Sequence, residues 1–187
     1  MSKNHEEEED RSNWSIQQWT DYAKEGNKDL KGANLKGAYL RNADHLYRAN
    51  LWKANLRGAN LEGADLKEAN LEGADLRIAY LWCANLKDAN LKYAYLRSAD
   101  LECVDLRGAR LTGANLEGAD LASANLKGAH LWEANLKGAN LEGASLEGAD
   151  LREGANLEGA DLYRANLRGA LLEGHDIDDL RKRVAGF

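Results

Sequence analysis

The sequence predicts an all-β solenoid, a rod in which the chain turns the same corner again and again. Leucine recurs every fifth residue from Leu30 to Leu172, apart from two steps of six, and Ile177 follows at the same interval, which makes 30 repeats. Alanine stands two positions before nearly every leucine, and the chain has one Phe, one Met and no Pro. A core built from two residue types indicates that the same interior space recurs along the chain.

A period of five fits neither an α-helix, with its period of 3.6, nor an alternating strand, with its period of 2. The segment between one leucine and the next alanine, often Leu-x-Gly-Ala, predicts a corner, because glycine tolerates the positive φ at the third position of a type II turn. We therefore expect leucine and alanine to point inward and the residue after each leucine to face solvent.

The repeats resemble the pentapeptide-repeat family, whose consensus is A-[D/N]-L-x-x. The stretch ANLEGADL, at residues 59–66, 69–76, 114–121 and 155–162, matches it residue for residue. The resemblance implies a right-handed quadrilateral β-helix with four repeats per coil and about seven coils. At a strand spacing of ~4.8 Å such a rod is roughly 36 Å long.

Four segments are expected: an acidic disordered tail at 1–11, a helical cap at 12–29, the β-helix at 30–177 and a second helical cap at 178–187. The tail contains the acidic run Glu6–Asp10. Solenoid ends expose apolar surface and unpaired backbone, so they need caps. Ser12 is the expected N-cap of the first helix, and Gly26 suits its end.

The second helix places Asp178 and Asp179 before its basic residues, an order that complements the helix dipole. The resemblance also implies a dimer contact at this end, formed by Leu180, Val184 and Phe187. Capping of the rod is the alternative for the same residues, so a monomer and a homodimer both stay open.

Stacking of residues 20 apart predicts two candidate docking surfaces for a protein partner. Arg57, Arg77 and Arg97 form one basic column, which is either a strip for an acidic partner or a solvated surface. The second surface is a cluster of exposed aromatic residues: Tyr80, Trp82, Tyr93 and Tyr95. It is a candidate because exposed aromatic clusters mark interfaces. Simple covering of the solenoid walls is the alternative for these four.

Cys83 and Cys103 are also 20 apart, so we expect two stacked thiols. Nearly parallel Cβ vectors suit a disulfide poorly, and two ligands do not make a zinc site, so reduced thiols are expected. The four histidines are dispersed, no phosphate-binding glycine loop occurs, and a Leu/Ala interior offers no cleft. We expect no catalytic residues, no cofactor, no metal and no enzymatic activity.

Two single-residue insertions interrupt the period. His45 is extra before Leu46, and the stretch 152–154 has three residues where two are expected. Each insertion is either a tolerated bulge or a contact site, because a bulge re-aims nearby side chains.

The net charge of −6 is concentrated at the N-terminus, where residues 1–29 hold four Lys or Arg against eight Asp or Glu. No apolar run reaches the roughly 18 residues of a membrane span. Cytoplasm is the expected compartment, with a removed targeting peptide left open. We do not expect nucleic-acid binding, because phosphate contacts need a more basic surface.

The leading functional hypothesis is a protein-interaction scaffold, and the partner stays unidentified. Resemblance to cyanobacterial members of the family implies a regulatory role. The alternative, also implied by the resemblance, is a DNA mimic that binds type II topoisomerase. The basic columns argue against it, because a DNA-binding partner repels them.

Overall fold

The computed structural model describes residues 11–186, and these form a β-helical rod closed at both ends by a short helix. Helix α1 spans Ile16–Lys24 and helix α2 spans Ile177–Ala185, with one 3₁₀ turn at Asp44–Leu46 between them. The expected disordered run Glu6–Asp10 and the candidate dimer residue Phe187 lie outside the described residues.

Parallel bridges between successive coils confirm four repeats per coil. Asn50 pairs with Asn70, and every bridge between there and Ser145 joins residues 20 apart. Across each insertion the offset becomes 21, as in Asp29 with Asn50 and Asn135 with Asn156. Each bridge is a single residue in the middle of a wall, so the strands of this rod are very short. In the coil 64–83 we name the walls A, B, C and D after their central residues Leu66, Leu71, Leu76 and Leu81.

The walls of the regular repeats end at hydrogen-bonded corners of the type that the sequence predicts. The amide of Ala59 donates to the carbonyl of Leu56 at 2.9 Å, and Gly58 between them has φ of 66°. Fourteen residues other than glycine also have positive φ, and all of them occupy this same corner position. Each stores steric strain that glycine would avoid, which makes the residue type at these corners informative.

The core consists of the inward leucines and alanines, as the period predicts. From Leu30 to Ala165 these residues are buried, with Val104 in place of one alanine. The last coil is less covered, since Leu167 and Leu172 are half-buried. Ile177 departs from the prediction, because it is 40% exposed and begins α2 instead of forming a last repeat. Asp176, whose carboxylate accepts from the amides of residues 178 and 179, caps the helix so that it starts at Ile177, one residue earlier than expected.

Helix α1 covers the first coil. Its N-cap is Ser15, with Gln18 completing a capping box, so the expectation of Ser12 as N-cap is wrong by three residues. Trp19 and Ala23 are buried against the coil. The rings of Trp14 and Trp19 lie 4.9 Å apart and extend this lid.

Helix α2 covers only part of the last coil. Leu180 is 3% exposed, and the Arg183 guanidinium donates to the carbonyls of Leu157 and Ala160 at 2.8 and 2.6 Å. The amide of Arg164 donates to the carbonyl of Val184 at 3.0 Å. These bonds satisfy backbone groups that have no further coil to pair with.

Both insertions lie beside a cap. His45 lies in the 3₁₀ turn that contacts α1, and the Lys28 ammonium donates to its carbonyl. Burial lowers the pKa of His45. The second insertion brings Gly154 to a cavity that it shares with His175 and Asp179 of the C-terminal end. Neither insertion falls in the middle of the rod, where the register is continuous.

Candidate protein-binding surface

The middle of each wall is occupied by a polar ladder that serves the fold. The amide group of Asn90 donates to the side chain of Asn70 at 3.2 Å, and that of Asn70 donates to Asn50 at 3.3 Å. The same oxygens accept backbone amides two residues on, as in Asn70 with Glu72 at 3.2 Å. These side chains are engaged within the protein, so the surfaces that remain for a partner are the corners and the places where the ladder is broken.

The basic column is partly neutralised by neighbouring acids. Arg77 contacts Asp75 through two nitrogens at 2.8 and 2.6 Å, and Arg97 lies 3.5 Å from Glu117. The hydrogen bond from Arg77 lowers the pKa of Asp75, against an opposing effect of burial. Within residues 11–186, no ion pair involves Arg57. The column is therefore less cationic than its arginines alone suggest.

The four candidate aromatic residues are all exposed. The exposed fractions are 56% for Tyr80, 43% for Trp82, 55% for Tyr93 and 53% for Tyr95. They lie on different elements: Tyr95 is in the middle of wall C, Tyr80 is in the middle of wall D, and the other two are at corners. The ring of Tyr93 covers Gly113, where an added Cβ would lie 2.6 Å from the ring.

The two candidate surfaces, which the sequence presents separately, meet at the corner between walls C and D. Tyr95 pairs with Asp75, two residues before Arg77, and Tyr80 follows the same corner. We name this region the corner patch; it comprises Arg77, Ile78, Tyr80, Tyr95 and Arg97. Trp82, Tyr93 and Arg57 lie around its margin.

Ile78 is the member of the corner patch that sequence reasoning missed. It is 49% exposed and has φ of 52°. A β-branched residue at positive φ is a strong conformational outlier, and glycine is the residue that the turn favours. The available signal was the break in the corner pattern, in which isoleucine stands where glycine is common.

Cys83 and Cys103 lie at the corner between walls D and A, one coil apart. Both are free and exposed, and the Cys83 amide donates to the carbonyl of Glu102 at 3.0 Å. Partial burial and the neighbouring Cys103 raise the pKa of the Cys83 thiol. Within residues 11–186, no group of three or more His, Cys, Asp or Glu side chains is arranged to hold a metal ion.

The candidate dimer residues contribute to the C-terminal cap in this structure. Leu180 is buried, and Val184 is half-buried against the core. A cavity of about 270 Å³ lies between them and Leu167, Leu172 and Ile177.

Neither α1 nor α2, the helices of residues 11–186, has the length and apolar content of a membrane span.

The family model for pentapeptide repeats matches this chain with eight copies, over residues 45–82, 79–118, 114–152 and 153–176. The chain belongs to the pentapeptide-repeat family, whose right-handed quadrilateral β-helix is the fold described above. Among curated proteins, none shows significant similarity to the chain.

Solved structures of similar proteins include HetL, a pentapeptide-repeat protein involved in heterocyst differentiation regulation from the cyanobacterium Nostoc sp. strain PCC 7120. It is 44% identical with a TM-score of 0.76, and the match covers 78% of this chain and 66% of that one. The chain thus spans just under two thirds of that relative.

QnrB1, a plasmid-mediated fluoroquinolone resistance protein, is 21% identical to this chain with a TM-score of 0.57. The match covers 85% of this chain and 83% of the QnrB1 chain. That likeness concerns the fold alone. Rfr23 from the cyanobacterium Cyanothece 51142 is 30% identical with a TM-score of 0.38, covering 83% of this chain and 98% of its own.

Proposed function

We propose that this protein is a non-enzymatic interaction scaffold that binds a protein partner through the corner patch. The observation that carries the proposal is Ile78, an apolar β-branched side chain that is 49% exposed at a strained corner. Folding alone favours glycine there, for both its conformation and its lack of exposed apolar surface. A side chain kept against both preferences supports a role outside the fold.

The surroundings of Ile78 have the composition of a protein interface. Tyrosine and arginine are enriched where interfaces contribute most binding energy. Tyr80 and Tyr95 expose more than half of their surfaces on either side of the corner, with Arg77 and Arg97 between them. Each wall is held by inter-coil hydrogen bonds along its whole length, so the patch is presented without a large ordering cost on binding.

A regulatory role extends this proposal, and its support is the similarity to HetL. The DNA-mimic alternative gains no comparable support. QnrB1, the fluoroquinolone resistance protein, shares the fold at 21% identity, and the arginine column at the corner between walls C and D opposes mimicry of a uniformly negative duplex.

The test compares partners captured from a native cell lysate by the wild-type chain and by two patch variants, Ile78→Gly and Tyr80→Ala/Tyr95→Ala. The expected result is loss of the same specific proteins with both variants. Ser123→Gly is the matched control, because it changes another positive-φ corner to glycine at the corner between walls D and A. Retention of all partners by both patch variants would contradict the proposal.

Ile78→Gly also separates folding from binding. Glycine relieves the positive φ, so the thermal midpoint is expected to stay the same or rise while binding falls. A variant that lost partners because it unfolded would instead show a lower midpoint by circular dichroism.

A further inference from the structure

The polar ladder of wall B is interrupted by two basic residues. Its bridged residues run Asn50, Asn70 and Asn90, then Arg110 and His130, then Asp150. Among the bridged residues of the described chain, Arg110 and His130 are the only basic ones. They pair directly with each other across one coil, a separation of about 4.8 Å. Arginine at position 110 does not continue the side-chain amide ladder of Asn50, Asn70 and Asn90, and it places a positive charge in the middle of the wall.

The interruption coincides with a shallow cavity of about 190 Å³. Its lining is formed by side chains from three successive coils, and all of them carry a hydrogen-bond donor: Lys92, Arg110, Thr112, His130 and Trp132. No carboxylate is among them. The cavity is smaller than the roughly 300–1,000 Å³ that encloses a whole small ligand, so it suits a single charged group.

The cationic side chains of this cavity lack internal partners. The aspartate two residues earlier is bound by Arg77, Arg107 and Arg152, at distances of 2.6 to 2.8 Å. Within residues 11–186, the side chains of Lys92 and Arg110 form neither an ion pair nor a hydrogen bond. At Lys92 the residue in the aspartate position is the neutral Asn90. Two cationic groups, the half-buried Lys92 and the exposed Arg110, are thus left unneutralised at one place.

Two carboxylates of wall B, one on each side of the cavity along the rod, are already engaged. Glu72, one coil before Lys92, accepts a hydrogen bond from Asn90 at 3.0 Å. Asp150, one coil after His130, binds Arg152 through two nitrogens at 2.9 and 2.8 Å. Hydrogen bonds from Arg152 and the Trp132 indole lower the pKa of Asp150. These contacts hold Trp132 as one side of the cavity, with its indole N–H bound to Asp150, and leave Lys92 and Arg110 without an anion.

We propose that the cavity lined by Lys92, Arg110, Thr112, His130 and Trp132 binds a phosphate monoester group. Guanidinium matches the geometry of a phosphate oxygen pair, an ammonium adds a point charge, and a threonine hydroxyl supplies a further donor. The monoester is carried by a phosphorylated protein side chain or by a small metabolite. The proposal does not depend on the corner patch, which lies around wall C and the start of wall D.

The test is titration of the full-length ¹⁵N-labelled protein with inorganic phosphate, O-phospho-L-serine and a peptide containing phosphoserine, each matched by L-serine or the unphosphorylated peptide. We expect saturable amide shifts at residues 110–112 and 130–132 with the phosphorylated ligands only. Tighter binding of the phosphopeptide than of phosphoserine identifies a protein source, and equal binding identifies a small metabolite.

Arg110→Asn is the decisive variant, because asparagine restores the ladder and should fold at least as well as the wild type. Loss of a charge-assisted hydrogen bond predicts about tenfold to hundredfold weaker binding. Arg168→Gln, which removes one exposed arginine near the C-terminal end, should bind as the wild type does. The proposal is overturned if no phosphorylated ligand binds, or if Arg110→Asn and Arg168→Gln bind equally well.

Discussion

Truncation of a leucine should cost far more in the middle of the rod than at its C-terminal end. Leu116 is completely buried in wall C, between the equally buried Leu96 and Leu136 of the neighbouring coils. Leu172 is half-buried in the last coil, with no coil beyond it. The two side chains are chemically identical, so the comparison isolates the effect of the stacked neighbours.

The magnitude follows from the burial. Leu116→Ala removes three carbons, worth about 2.4 kcal/mol at ~0.8 kcal/mol each, and leaves a cavity that raises the cost toward about 3–5 kcal/mol. Leu172→Ala loses about half of the transfer energy and opens no closed cavity, so about 1 kcal/mol is expected.

Urea denaturation followed by circular dichroism measures both costs as differences in the free energy of unfolding. The expected result is a loss for Leu116→Ala at least twice that for Leu172→Ala. Equal losses, or a loss below about 1 kcal/mol for Leu116→Ala, would refute the inward assignment of the central residue and with it the coil register.

Three further changes test the corners and the charges. Gly113→Ala should lower the thermal midpoint, because its Cβ would lie 2.6 Å from the Tyr93 ring at a φ of 66°, and Tyr93→Ala should remove part of that loss. Asp150→Asn should destabilise the protein at neutral pH, because Arg152 lowers the pKa of Asp150 below the unfolded value of 3.8. The difference in the free energy of unfolding between variant and wild type should shrink as the pH falls below 3.8, which an acid titration measures. Cys83 should react slowly with a thiol reagent at pH 8 and faster as the pH rises, because its pKa is raised; no loss of this slow phase in Cys83→Ser would contradict that assignment.

The residues of each candidate surface could be predicted from the 20-residue offset between coils and from their positions within the repeat. Offsets of 20 residues place Arg57, Arg77 and Arg97 in one column, and the exposed aromatic residues follow from their positions within the repeat. The meeting of these two sets at the corner between walls C and D needed the order of the walls as well as the offset. Ile78 was missed although it occupies the corner position that favours glycine, and its exposed fraction of 49% and φ of 52° needed the structure.

The sequence by itself determined the inward positions and the corners, because a strict five-residue period admits one way to bury every leucine and alanine. The coil length of four repeats was implied by the resemblance to the pentapeptide-repeat family. The tertiary structure decided where that period stops and what its interruptions do. Asp176 caps α2 so that Ile177 leaves the repeat, and Lys28 anchors the inserted His45 beside α1. The tertiary structure also decided which charged side chains are paired: Arg77 forms an ion pair with Asp75, whereas Arg110 lines a cavity that has no acidic residue. Such pairing depends on the directions that side chains take in three dimensions, and a one-dimensional pattern does not contain them.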